Sequence, residues 1–277
     1  MNSTVPRLAT LTVLGMLTAA AAADGTVTFD GGPAGWSISG RDTIDADGGN
    51  PGANMHGILI DVFGADTRSD SDPDFLGDLT RFGPFTLSID IKVNSIDFFG
   101  TQVPRTLIVD LRDYVDGPYP WVSVWYELGV LTSDRPGWIR YSVDIADPNA
   151  DTLPPGWGGY GDEDAFGNPR LPANRTFASV LRNVDEVSFT TFVPGYFYGF
   201  TNFDIQVDNI HIGQPLGDAC PACPADYNQD GGVDGGDVES FFTDWENSAG
   251  CADTNADGGI DGGDVEAFFV VWQAGGC

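Results

Sequence analysis

Between residues 24 and 213, apolar and polar positions alternate in short runs separated by clusters of Gly, Pro, Asp and Asn. Runs at 26–29, 57–63, 85–93, 106–111, 121–128, 138–145, 186–192 and 203–212 are rich in β-branched and aromatic residues at a period of two. That pattern predicts strands. Short strands punctuated by turn signals predict a mainly β protein, an antiparallel β-sandwich of jelly-roll type rather than a parallel sheet. Helical spacing is confined to a turn around residues 177–181, and the Pro/Gly-rich stretch 147–170 reads as a surface loop. Residues 214–224 read as a linker.

Beyond the linker the pattern changes. Val238, Phe241, Phe242 and Trp245, and again Val265, Phe268, Phe269 and Trp272, fall on one face of a short helix. Each helical run follows a 12-residue acidic loop. The first loop offers Asp226, Asn228, Asp230, Asp234 and Asp237 at positions 1, 3, 5, 9 and 12, and the second offers Asp253, Asn255, Asp257, Asp261 and Asp264. Gly232 and Gly259 at position 7 supply a backbone carbonyl, and glycine at position 6 permits the sharp turn. Six or more oxygens on a loop of this length are what a hard cation such as Ca²⁺ requires, so each loop is expected to hold one Ca²⁺. The bland alternative for one acidic, Gly-rich stretch is a solvated linker. Two copies, each running into the same aromatic helix, argue against it.

The two D-x-N-x-D-G-G-[VI]-D-G-G-D-V-E-[SA]-F-F runs and the terminal Gly276-Cys277 resemble a GC-type, type I-like dockerin over residues 225–277. The resemblance implies a small α-helical module with two F-hand calcium loops, calcium-dependent folding, and attachment to a cohesin-like or cell-surface protein. The family's cohesin-selecting Ser/Thr pair after position 9 is replaced here by Gly235-Gly236 and Gly262-Gly263, which leaves the partner open.

Charge narrows the function further. The chain carries 41 acidic and 12 basic residues, a formal net charge of −29, and no Lys or Arg follows Arg182. Phosphate neutralisation needs clustered cations, so nucleic acid is excluded as a partner, as is adhesion to anionic lipid. Arg7, the apolar run 8–17 and the small residues 19–23 read as a signal peptide over residues 1–23, cleaved after Ala23. The mature chain is therefore expected to be secreted, with no membrane insertion. Cys220, Cys223, Cys251 and Cys277 all lie in the tail, where a redox CxxC or half a zinc site lacks its surroundings. Two structural disulfides are expected in an exported module of this size. Three connectivities are open; a bridge from Cys277 to the entry of the module would staple its ends and leave Cys251 to the other pair.

Over residues 24–213, Gly35-Trp36, Gly48-Gly49-Asn50-Pro51-Gly52, Phe75-Leu76-Gly77-Asp78, Phe82-Gly83, Gly137-Trp138 and Val207-Asp208-Asn209-Ile210 resemble the laminin B (laminin IV type A) domain and bacterial carbohydrate-binding jelly rolls. The resemblance implies a sandwich used for binding or adhesion, with no catalytic residues to transfer. Trp121 and Trp125 share a strand face and Tyr126 points oppositely, so the cluster either stacks on sugar rings or fills the core. Trp157, Tyr160 and the run Tyr196-Phe197-Tyr198 lie in Gly-rich segments where exposure is expected. Asp208 either helps hold a structural Ca²⁺ or is a solvent-facing or turn-capping carboxylate. A polysaccharide hydrolase is the competing class, with Glu163 its least implausible acid, but no second carboxylate accompanies it at a recognisable spacing. His56 and His211 stand alone, without GxSxG or HExxH. The sequence thus reads as a non-catalytic, secreted glycan- or ligand-binding sandwich held by a calcium-folded tail; the tail as a mere end-cap without a receptor is the other view.

Overall fold

A computed structural model describes residues 25–114, 121–213, 223–227, 232–246, 250–252, 254–255 and 260–275. The proposed signal peptide, nearly all of the linker, Asn228, Asp230, Asp253, Asp257, Gly259, Cys220 and Cys277 lie outside the described residues. The strands are β1 (Gly25–Val27), β2 (Trp36–Ile38), β3 (Asp42–Asp45), β4 (Asn54–Val62), β5 (Asp66–Ser69), β6 (Phe85–Phe98), β7 (Thr101–Gln102) and β8 (Arg105–Asp113). They continue with β9 (Val122–Leu131), β10 (Trp138–Ile145), β11 (Trp157–Tyr160), β12 (Asp162–Glu163), β13 (Pro169–Arg170), β14 (Glu186–Thr190) and β15 (Thr201–Gly213). Helix α1 (Phe177–Leu181) follows β13, and α2 (Gly235–Glu246) and α3 (Gly262–Gln273) lie in the tail.

Two antiparallel sheets form the sandwich. A seven-stranded sheet runs β10-β6-β15-β4-β3, with β1 on β15 and β7 on β6, and a six-stranded sheet runs β11-β9-β8-β14-β5-β2. The chain switches sheets repeatedly, so the inner faces of both contribute to one core. Alternation explains the assignment. On β8, Leu107, Val109 and Leu111 enter the core, as do Leu87, Ile89 and Ile91 of β6 and Phe203, Ile205 and Val207 of β15. Trp36 sits there with its indole N–H bonded to Asp72 at 2.9 Å, which satisfies the one polar atom that its burial would strand. Helix α1 forms where the 3.6 period was read, closed by a capping box between Thr176 and Ser179.

The stretch 147–170 departs from expectation. It holds three strands, of which β11 pairs along β9 and places Trp157 in the core against Phe177, ring centroids 4.9 Å apart. Trp157 is therefore a packing residue and not the exposed loop aromatic that its Gly-rich surroundings suggested.

In the tail, α2 and α3 pack their aromatic faces together. Phe241 and Phe268 are both fully buried and stack at 4.2 Å with an interplanar angle of 1°. Val238, Phe242, Trp245, Ile260, Val265, Phe269 and Trp272 surround them, forming a second core that shares no residue with the sandwich.

Candidate functional site

The outer face of the six-stranded sheet is polar by alternation yet largely closed to water. Asp110, Arg112, Ser123, Glu186 and Ser188 all project opposite to the core and all are buried. A cavity of about 560 Å³ opens above them, lined by Asp66, Arg68, Asp110, Arg112, Tyr114 and Trp121 below and by Tyr160 and the segment 192–195 at its sides.

Arg112 organises this floor. Its Nε donates to Asp110 at 2.7 Å, Nη1 donates to Glu186, and Nη2 reaches Ser188 at 3.4 Å. The Asp66 carboxylate stands 3.9 Å from Nη1 and accepts from the Ser188 hydroxyl. The guanidinium lies 4.7 Å from the Trp121 ring centroid, and Trp121 in turn meets Tyr160 at 5.7 Å. Burial works against the Arg112 charge, but Asp110, Asp66 and Glu186 outweigh it and raise the pKa, so the cation is permanent. The Tyr114 hydroxyl is pushed up to about 12 by burial and by Glu186, and it stays protonated as a donor. Beside this floor Trp125 lies flat across β11. A Cβ on its cross-strand partner Gly158 would stand 2.2 Å from the indole, so only glycine lets the ring settle there.

The aromatic cluster read from the sequence divides as its spacing required. Trp121 and Trp125 face the cavity side, whereas Tyr126 points inward and packs on Trp157 at 5.4 Å. Tyr196 and Phe197 are exposed, and Phe197 and Phe200 meet Phe63 at 5.0 and 4.4 Å. Tyr198 is partly covered, beneath the Arg105 guanidinium at 4.5 Å. The charged floor itself was missed, because Asp66, Arg68, Asp110, Arg112 and Glu186 come from three strands and each reads locally as a solvent-face residue.

Other singled-out residues find structural roles. Asp208 is fully buried and accepts from the amides of Asn50, at 2.6 Å, and Asn209, at 2.8 Å. Burial, with Asp90 and Asp30 nearby, pushes it up to about 6 against the pull of those amides. His211 is buried and bonded to Thr26 at 2.9 Å. His56 is not isolated as its sequence neighbours suggested, since Asp45 and Asp204 each meet one ring nitrogen at 2.8 Å. Glu163 is exposed on the β12–β13 ribbon and is not part of the cavity lining.

In the tail the described loop residues take matching positions. Asp237 and Asp264, at position 12, are fully buried, and each accepts from the amide of the position-9 residue, Asp234 or Asp261, at 2.7 Å. The position-9 carboxylates cap the following helices by accepting from Gly236 at 2.8 Å and Gly263 at 2.7 Å. The Asp261 amide, with those of Asn255 and Thr254, holds the Asp264 carboxyl below the usual range. Both position-12 groups are thus turned inward and, for Asp264, kept ionised, and the donor set is all oxygen. That arrangement fits a hard divalent cation. Among the described residues no three His, Cys, Asp or Glu side chains converge on one point. Asp230, Asp253 and Asp257, which the ligand set needs, lie outside them. Cys223 is disulfide-bonded and Cys251 is buried. Tyr227 wedges edge-on against both stacked rings, 5.5 Å from Phe241 and 5.9 Å from Phe268, and its hydroxyl donates to Asp244 at 2.9 Å.

No helix among the described residues is long and apolar enough to cross a membrane. No family model matches the chain, and no curated protein matches it. Among solved structures it is similar to a family 11 carbohydrate-binding module of a Clostridium thermocellum cellulosomal cellulase, at 17% identity over 70% of this chain and 96% of that one, with a TM-score of 0.41. It is also similar to the CBM22-2 xylan-binding domain of a Paenibacillus barcinonensis protein, at 10% identity over 69% of this chain and 98% of that one, TM-score 0.39. A third likeness is to the CBM22-1–GH10 modules of a Clostridium thermocellum xylanase, at 14% identity over 69% of this chain, TM-score 0.39; this chain spans only 28% of that one. These likenesses are distant, and what the cavity can hold follows from its own residues.

Proposed function

We propose that the sandwich binds a polysaccharide without cleaving it, through the cavity on its six-stranded sheet, and that the tail folds on two Ca²⁺ to dock on a cohesin-like or cell-surface protein. One observation carries the first half: a buried floor of alternating donors and acceptors beside an aromatic wall. A sugar hydroxyl both donates and accepts, so adjacent hydroxyls match a floor where guanidinium donors (buried Arg112 and exposed Arg68) alternate with the buried carboxylate acceptors Asp66 and Asp110. Trp121 and Tyr160 offer rings to the apolar faces of the sugar. The chain's net charge of −29 disfavours a polyanion, so a neutral glycan is the better match.

Hydrolysis by a carboxylate pair needs one free acid and one free base or nucleophile across the bond. Here Asp110 and Glu186 are bonded to one guanidinium and Asp66 to Ser188, which supports binding over cleavage. Retention of the full chain on insoluble neutral polysaccharides tests the reading. Trp121→Ala and Tyr160→Ala should each weaken retention about tenfold or more, the loss expected of a central aromatic anchor. Retention unchanged by either, or sugar release that disappears with Glu163→Gln, would favour the hydrolase instead.

The tail reading is supported by the buried position-12 carboxylates Asp237 and Asp264, by the all-oxygen side chains of the loop sequences, and by the absence of any Lys or Arg after Arg182 to offset them. Asp226, Asn228, Asp230, Gly232, Asp234 and Asp237 would hold one ion and Asp253, Asn255, Asp257, Gly259, Asp261 and Asp264 the other. Folding and ion uptake are then linked. Capture of a surface-protein partner in calcium, and its release by chelator, is the expected outcome; capture indifferent to chelator would leave the tail an end-cap.

A further inference from the structure

Each tail helix carries a tryptophan whose indole N–H bonds outside its own half. Trp245, on the helix after the first loop, donates to the Asp261 carbonyl of the second loop at 3.0 Å. Trp272, on the helix after the second loop, donates to the Asp234 carbonyl of the first loop at 2.9 Å. Asp234 and Asp261 are the position-9 residues, and they are the ones whose amides aim the buried position-12 carboxylates of their own loops. Each indole therefore fixes the residue that orients a ligand in the opposite loop.

We propose that Trp245 and Trp272 are positioning residues that couple the two cation loops crosswise, so that the loops fill with positive cooperativity. The inference rests on the calcium reading of the tail. Its physics is a shared ordering cost. An empty acidic loop repels itself, and the helix that follows it is poorly fixed. Filling one loop fixes its helix, which delivers a tryptophan to the other loop and leaves less to be ordered there. The stacked Phe241–Phe268 pair ties the halves together, and Tyr227 of the first loop packs edge-on against both rings. Among the described residues the two indole bonds run reciprocally, each from the helix of one half to the loop of the other.

Calcium titration of the full chain by calorimetry tests this. Wild type should take up two ions in the tail cooperatively. With the first loop disabled by Asp237→Asn, adding Trp245→Phe should weaken the remaining loop about three- to tenfold, the worth of one hydrogen bond. Adding Trp272→Phe in that background should leave it unchanged, and Asp264→Asn should give the mirror result. Phenylalanine keeps a packing ring and removes only the donor. Equal losses from both tryptophans, or losses confined to a tryptophan's own loop, would overturn the proposal. Should the single-loop variants bind nothing, substoichiometric titration of wild type followed by the indole N–H signals decides. Coupled loops populate the singly filled species well below the half share that independent, equal loops reach at half-saturation, and a singly filled species at that full share, with one shifted indole, refutes coupling. No calcium uptake by wild type would instead refute the calcium reading itself.

Discussion

His56 shows how little of a residue's chemistry is written beside it in the chain. Its partners Asp45 and Asp204 come from β3 and β15, and only the register of those strands on β4 brings them to 2.8 Å. Burial opposes the imidazolium, but hydrogen bonds and attraction from Asp204 and Asp45 prevail and hold its pKa above the usual value. A raised base stabilises the fold fully below about pH 6.5, and that contribution is lost as pH rises through the imidazole's own, higher pKa. Urea unfolding of wild type and His56→Gln between pH 5 and 9 should show a stability gap that closes at the alkaline end. A gap that widens with pH would contradict this account. Arg112 and its carboxylates were illegible for the same reason, because burial of an outward-facing polar set depends on what lies above the sheet. Trp121 and Trp125 were legible, since spacing along one strand fixes which face a side chain takes.

At the level of elements, the long alternating runs of β6, β8 and β15 are legible in the sequence, while β11 is not. Its sequence, Trp-Gly-Gly-Tyr, has weak strand propensity and reads as a loop. The structure supplies the reason for that composition, since Trp125 occupies the space a side chain at residue 158 would need. Gly158→Ala should cost about 1–3 kcal/mol, as overpacking does, and should displace Trp125 from its seat across β11. A thermal melt together with tryptophan fluorescence checks both effects; an unchanged melting temperature would mean the indole moves aside freely. The tail helices were fully legible because loop, cap and apolar face are contiguous, with Asp261 capping and Asp264 completing the box.

At the scale of the molecule, the described residues form two cores with no residue in common, one of sheet and one of two short helices. Calorimetry should therefore resolve a larger unfolding transition unaffected by chelator and a smaller one that falls with calcium removal. A single transition shifting as a unit would show that the cores melt together. Within the smaller core the two copies share ligand positions, cap and stacked ring, but their loops differ at positions 2, 4 and 8, most sharply at position 2, with Tyr227 in one and Thr254 in the other. Tyr227 closes over both phenylalanines, while the Thr254 hydroxyl turns to the Asp264 carbonyl at 2.7 Å. A duplicated unit with a single keystone has a front and a back. Transposing its halves by circular permutation would carry that keystone away from the chain's point of entry, so the module's two ends are not interchangeable.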